Sequence, residues 1–281
     1  MANIKELVAQ ALAEDVGSGD VTSEATVPEG ARARARVVQK EPGVVYGLGV
    51  VAETMRQRGV EDVDNLVVEG QWREDVPAEV LLAGGPARGL LAAERTALNF
   101  LGHLSGVATL TARYAEAVAG TGAAILDTRK TTPGLRELEK AAVLAGGGRN
   151  HRMGLYDAIL IKENHIAIAG SLAKAVHAAR TRFPDLAVEV ECRDLEEVAY
   201  ALGTGADVLL LDNMEPGLLR KAVALRDENA GSGNGPSLEA SGGVTLETAR
   251  SIAETGVDLI SIGALTHSAP TLDFSLLLEQ A

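Results

Sequence analysis

Cysteine is almost missing from this 281-residue chain, in which Cys192 stands alone. A single thiol excludes an intrachain disulfide and a cysteine-rich metal site, and it suits a reducing cytoplasm, the expected location. Aromatic residues are scarce at 3%, so the core has to be built from Ala, Gly, Val and Leu in tight helix–strand packing. Positive charge is in deficit, with 26 Lys and Arg against 39 Asp and Glu and a formal net charge of −13. That balance argues against nucleic acid as a partner, because non-specific binding needs a broad basic surface. No apolar run approaches the roughly 20 residues that cross a bilayer, so no membrane partner is expected. The opening MANIKELVAQALAEDVG reads as an amphipathic, partly acidic helix rather than a signal peptide.

What is present is globular. An apolar fraction of 46% and a charged fraction of 23% are those of a packed protein large enough for one big or two ordinary domains. Residues 31–91 hold short alternating segments broken by Gly and Pro, which predicts a small α+β unit with an antiparallel sheet. Arg32, Arg34 and Arg36 alternate with Ala and so share one face, read here as that of a solvated edge strand. AAERTALNFLGHLSGVATLTARYAEAVAG follows with helical spacing of Leu98, Leu101 and Leu104 and carries Arg95 and His103.

From there strands and helices alternate. Apolar runs at 124–126, 158–161, 187–190, 208–211, 237–238 and 259–262 are separated by helical patterns at 135–144, 166–182, 195–202, 216–226 and 246–254. Repeated βα units require a parallel sheet with helices outside, and in a barrel every strand's carboxyl end opens on one mouth. Six strands fall short of eight, so the barrel is incomplete. AGSGNGPS (230–237) lacks the Lys and Ser/Thr of a phosphate-binding P-loop and reads as a spacer.

Against the acidic background, Ile125–His165 gathers Arg129, Lys130, Arg136, Lys140, Arg149, His151, Arg152 and Lys162. Cations at the ends of apolar strands meet anions, which points to a small substrate carrying carboxylates, phosphates or both. Arg129 and Arg152 offer bidentate forks for carboxylates, with His151 beside them. Lys130 and Lys162 could neutralise a pyrophosphate, or one could form a Schiff base. Glu191 and Asp212 end neighbouring strands and could hold a divalent metal, bind ribose hydroxyls or act in proton transfer. Glu239-Ala-Ser241-Gly242-Gly243 and Ser261-Ile262-Gly263-Ala264 place glycines after the last two strands, where backbone N–H groups can approach a phosphate. Cys192, next to Glu191, reads as structural.

The motifs ALAEDVGSGDVT, AERTALNFLGHLSGVAT, DTRKTTPGLR, GGGRNHRMGLYDAILIKENHI, VEVEC, DVLLLDNM, LEASGGV and SIGALTHSA, in this order, resemble those of quinolinate phosphoribosyltransferase, also called nicotinate-nucleotide pyrophosphorylase (carboxylating). The resemblance runs through nearly the whole chain; a more charged turn at Trp72–Pro77 departs from it. It implies an incomplete (β/α) TIM-like barrel with a smaller N-terminal α/β sandwich domain. The expected boundaries are 1–108 for the sandwich and linking helix, 109–268 for the barrel, and 269–281 for a tail packing back on the first domain. It implies that quinolinate and phosphoribosyl pyrophosphate give nicotinate mononucleotide, pyrophosphate and CO2 with Mg2+, in NAD biosynthesis. It also implies a homodimer, or a hexamer of such dimers, whose sites are shared between subunits.

Residue by residue, the resemblance puts Arg129, His151 and Arg152 on the quinolinate carboxylates, with Arg95 entering from the partner subunit. Lys130 and Lys162 serve the pyrophosphate and carboxylates, and Glu191 and Asp212 the ribose hydroxyls, directly or through Mg2+. These two lysines and two carboxylates are the expected catalytic set. Ser241, Gly242, Gly243, Gly263 and Ala264 cradle the 5′-phosphate with His267 nearby, and Thr128 and Ile262 join them as substrate-binding positions. The competing readings are a Schiff-base aldolase or decarboxylase, which needs a lysine in an apolar pocket, and a non-catalytic nucleotide or phosphate sensor, which has no need of the paired carboxylates.

Overall fold

The computed structural model describes residues 4–229 and 235–280, so most of the 230–237 spacer lies outside the described residues. Two compact units emerge: Met1–Ala112 with Thr131–Gly147 and Leu265–Ala281, and Arg113–Lys130 with Gly148–Ala264.

The first unit begins with α1 (Ile4–Val16) and α2 (Val21–Thr26). The Asp20 carboxylate caps α2 by accepting the Ser23 N–H at 3.0 Å. There follow β1 (Arg32–Gln39), β2 (Gly43–Val44), α3 (Leu48–Gln57), β3 (Asp62–Asn65), β4 (Trp72–Arg73), β5 (Ala78–Pro86) and the long α4 (Ala87–Ala117). α5 (Arg136–Ala145) belongs to this unit, as does the last strand, β12 (Phe274–Gln280). The main sheet has the order β12-β1-β5-β3. Ala33, Ala35 and Val37 alternate into the core against Val51 and Met55 of α3 and Leu90, Ala93, Ala97 and Leu101 of α4.

One expectation is corrected here. β1 is not an edge strand: β12 pairs with it on one side and β5 on the other. Its arginine face does look outward, and Arg36 bridges Glu79 at 2.8 Å and Glu279 at 2.6 Å, one on each neighbouring strand. The partner that covers the edge comes from the far end of the sequence, which no local pattern announces. The segment before β12 lies along α4, where the Leu272 N–H donates to Gly102 O at 3.0 Å. A Cβ at Gly106 would run into the Pro270 carbonyl oxygen.

The second unit is repeated β and α. β6 (Ala124–Leu126), β7 (Ile159–Ile161), β8 (Val188–Cys192), β9 (Val208–Asp212), β10 (Ser237–Ser241) and β11 (Leu259–Ser261) form one parallel sheet in the order β6-β11-β10-β9-β8-β7. Between them lie α6 (Glu163–Ala169), α7 (Leu172–Arg182), α8 (Leu195–Leu202), α9 (Pro216–Asn229) and α10 (Leu246–Ala253), with α11 (Ala264–His267) after β11. The single helix expected over 166–182 is two helices. Gly170 ends α6 with φ +88°, and Ser171 caps α7 by accepting the Lys174 N–H.

The sheet is open, with β6 and β7 at its edges, as an incomplete barrel requires. Leu126 of β6 also makes a parallel bridge to Arg149. The segment from Arg149 to β7 therefore runs from one edge of the sheet to the other. No helix among the described residues is long and apolar enough to cross a membrane.

Candidate active site

Side chains alternate between the faces of a strand, and that alternation builds the site. Val188, Val190, Leu209, Leu211, Leu238, Ala240 and Ile260 are all buried, in register with buried Val198, Ala201, Leu219, Ala222, Ala249 and Ile252 on the helices. The other set of positions faces the inside of the curved sheet. It reads Leu160 then Lys162 from β7, Glu189 then Glu191 from β8, Leu210 then Asp212 from β9, Glu239 then Ser241 from β10, and Ser261 from β11. Register ties the rows together: Ser241 lies beside Asp212 and Ser261, and Glu239 beside Leu210. These groups, without Glu189, line a cleft of about 370 Å³ together with Thr128, Arg129, Lys130, His151 and Arg152. All of it lies within the second unit.

The rim carries the charge. The Lys162 ammonium donates to the Glu191 carboxylate, so these two candidates hold each other. Thr128 Oγ1 accepts the Lys130 N–H at 3.0 Å and sets the turn after β6. Arg152 donates from Nη1 to Ala158 O at 3.2 Å, while its buried Nε has no partner among the described residues. Burial, and then the neighbouring charge of Arg129, push the Arg152 guanidinium below its usual range. Two guanidinium groups held close enough to repel, one with an orphaned donor, form a site for an anion. Lys162 is 46% exposed and ion-paired, which is not the apolar pocket a Schiff-base lysine needs.

Beneath the rim lies a cluster that strand-end reasoning only half finds. The Asp127 carboxylate, fully buried, accepts the His151 N–H at 2.9 Å. His151 Nδ1 accepts the Arg152 N–H at 2.7 Å. By that pattern the ring proton sits on Nε2, which lies 2.9 Å from Glu189 Oε2 and 3.8 Å from Glu239 Oε2. Both ring nitrogens of His151 are thus engaged inside the protein. Burial first, and then the negative neighbour Glu189, push the Glu239 carboxyl up to about 7. Ligand-type atoms of His151, Glu189 and Glu239 come within 4.8 Å of one another, a spacing that would also suit a metal. The Nε2 proton aimed at Glu189 makes the arrangement one of proton sharing. Glu189 was legible: in VEVEC it occupies the same face as Glu191, one step deeper.

The expected phosphate cradle follows β10. The Asn213 N–H donates to Ser241 O at 2.8 Å, and Asn213 Nδ2 donates to Asp212 Oδ2 at 3.0 Å. Gly242 and Gly243 both have positive φ, +99° and +62°, a turn that leaves successive N–H groups facing outward. At Gly242 a Cβ would strike the Asn213 side chain. Gly263 and Ala264 follow β11 directly. Ile262 differs: it is 2% exposed and its N–H donates to Leu126 O at 2.9 Å, so its side chain belongs to the core. Arg95, exposed on α4, and His267, whose Nδ1 lies 2.6 Å from Ser268 Oγ, are carried by the first unit.

Three further cations of the 125–165 stretch, Arg136, Lys140 and Arg149, read as ordinary helix and loop charges. For Lys140 this is overturned. It is fully buried in α5 beside Glu139, also fully buried, whose carboxylate meets His103 Nε2 at 2.8 Å and the Thr132 N–H at 3.0 Å.

Comparison with known proteins agrees along the whole length. Residues 107–277 match the model of the quinolinate phosphoribosyl transferase C-terminal domain, and residues 20–105 that of its N-terminal domain. The chain is 44% identical over 275 residues to the nicotinate-nucleotide pyrophosphorylase (carboxylating) of Mycobacterium leprae (strain TN), covering 97% of this chain and 96% of the relative. It is 40% identical over 275 residues to the probable enzyme of that name from Bacillus subtilis (strain 168), with 97% and 92% covered. Among solved structures, the nicotinate-nucleotide pyrophosphorylase from Francisella tularensis superposes with a TM-score of 0.92 at 37% identity, over 98% of this chain and 96% of that one.

Proposed function

The chain belongs to the quinolinate phosphoribosyl transferase family, and from that premise we propose that it transfers the phosphoribosyl group of phosphoribosyl pyrophosphate to quinolinate, releasing pyrophosphate and CO2 and leaving nicotinate mononucleotide. The observation that carries the reading is the composition of one cleft: two mutually repelling guanidinium groups, two lysines, two rim carboxylates and a glycine turn. A dicarboxylate relieves the repulsion between Arg129 and Arg152, and the orphaned Arg152 Nε gains an acceptor. Lys130 and Lys162 meet the pyrophosphate, with Lys162 exchanging Glu191 for substrate. Ser241, Gly242 and Gly243 receive the 5′-phosphate, with Gly263 and Ala264 beside them.

The pyridine nitrogen attacks the anomeric carbon as the bond to pyrophosphate breaks. Positive charge gathers on the ribose ring, and Glu191 and Asp212 stabilise it electrostatically. The lysines offset the charge growing on the leaving group. The resulting pyridinium nitrogen accepts electron density as the adjacent carboxylate leaves as CO2. Glu191 and Asp212 also fit Mg2+, a hard cation that takes one or two carboxylates together with substrate oxygens. When bound, the ion adds charge neutralisation at the pyrophosphate.

The working form is a homodimer in a reducing cytoplasm, with Arg95 completing the partner subunit's site. Incubation with quinolinate, phosphoribosyl pyrophosphate and Mg2+ should release CO2 and form nicotinate mononucleotide in equal amounts. A well-folded sample that turns over neither substrate would defeat the reading.

A further inference from the structure

Departure of CO2 from the ring leaves an electron pair on C2, and that pair has to be captured by a proton. None of the roles above supplies it. Arginine side chains do not give up protons in proteins. Lys162 is tied to Glu191, and the Nε2–H of His151 points at Glu189. The remaining acidic group on the cleft wall is Glu239. It lines the cleft, yet it is only 2% exposed, and its Oε1 has no hydrogen-bond partner among the described residues. Ser261 Oγ, beside it on β11 and 4% exposed, has none either. A buried carboxylate with an empty lone pair, next to a second carboxylate and a neutral imidazole, is an arrangement that a proton stabilises.

We propose that Glu239 is the acid that protonates C2 of the pyridine ring as CO2 leaves. The proposal rests on the functional reading above. The C2–carboxylate bond breaks and its electron pair stays on C2. The Glu239 O–H bond breaks, its proton joins C2, and its electron pair remains on the Glu239 oxygen. The new carboxylate faces a cationic pyridinium and lies 3.8 Å from the Nε2–H of His151. Before transfer, a neutral Glu239 meets the substrate's 2-carboxylate without like-charge repulsion. Once product leaves, solvent entering the cleft restores the proton.

The groups facing Glu239 set its behaviour with pH. They are Glu189 from β8, His151 from the crossing segment and Ser261 from β11, with Arg129, Lys130, Arg152, Lys162, Glu191 and Asp212 around the same cleft. Burial and Glu189 hold its proton up to about pH 7. The decarboxylation step therefore runs fully at low pH and falls as pH rises through that value.

The test is a single-turnover assay on the full-length protein, following pyrophosphate and labelled CO2 separately across pH 5.5 to 9, with the variants' folding checked by circular dichroism. Glu239→Gln should slow CO2 release about 100-fold, the scale of lost general-acid catalysis, and far more than pyrophosphate release, with the pH limb abolished. Glu239→Asp should recover part of the rate and keep a limb. Glu189→Gln should move the limb to lower pH, because it removes the negative neighbour. Equal slowing of both products, or a limb that survives in Glu239→Gln, as donation by Lys130 would give, overturns the proposal. A wild-type chain that releases neither product would instead remove the functional reading beneath it.

Discussion

Glu239→Gln also makes a prediction about folding that is independent of any activity. In the folded chain the Glu239 carboxyl holds its proton up to about pH 7, against an ordinary value of 4.5, mainly because it is buried and secondly because Glu189 is beside it. The sign follows from proton binding. The folded state binds this proton more tightly than the unfolded state, so its contribution to stability is full below pH 4.5 and is lost as pH rises to about 7. At about 1.4 kcal/mol per unit, the loss amounts to roughly 3 kcal/mol. Glutamine has nearly the same shape and nothing to ionise. The variant should match the wild type at pH 4.5, gain steadily on it up to pH 7, and stay about 3 kcal/mol ahead above that. Urea unfolding of both proteins at a fixed chain concentration, from pH 4.5 to 8.5, measures the difference. A gap that does not change with pH, or a wild type that is more stable at pH 8, would refute the burial argument.

Other consequences can be checked separately. Gly106→Ala places a methyl group against the Pro270 carbonyl on the face of α4. It should lower stability by about 1–2 kcal/mol, overpacking outweighing the helix-propensity gain of Ala, and a melting temperature equal to wild type would contradict the packing. Cys192 is fully buried and its thiol is pushed up to about 12 by burial first and nearby acidic groups second. A disulfide reagent at pH 8 should leave it unmodified until the chain is unfolded, and rapid labelling of the native protein would count against that. Arg152→Ala should raise KM for quinolinate about 10- to 100-fold, the loss of one or two charge-assisted hydrogen bonds, with little change in KM for phosphoribosyl pyrophosphate. Arg95→Ala and Arg129→Ala, each nearly inactive, should partly restore activity when mixed into heterodimers, and heterodimers that stay inactive would exclude a shared site.

Much of the second unit could be read without coordinates because its signals are local. Apolar runs separated by helical patterns mark β6 to β11 to within a residue or two, since strand and helix periods are properties of neighbouring residues. The same period of two predicts which residues share the inner face, so Lys162, Glu191, Asp212 and Ser241 fall together. Glu189 and Glu239 follow the same rule one step deeper, but a carboxylate inside a strand gains meaning only when burial is known. The break at Gly170 and Ser171 was locally encoded too, and a continuous apolar pattern obscured it.

The chain order alone thus determines a parallel βα sheet, a cation-rich stretch, a glycine turn after β10 and the family to which they belong. The tertiary structure decides what depends on distant segments meeting. β12 reaches β1 from the far end of the chain and turns an apparent edge into the centre of a sheet. Residues 131–147 leave the barrel's unit and bury Glu139 and Lys140 in the other. His151 has both ring nitrogens held, by Arg152 beside it and by Glu189 from another strand. Hydrogen bonding, repulsion and desolvation act over a few ångströms of space, and the separation of residues along the chain carries no record of that distance.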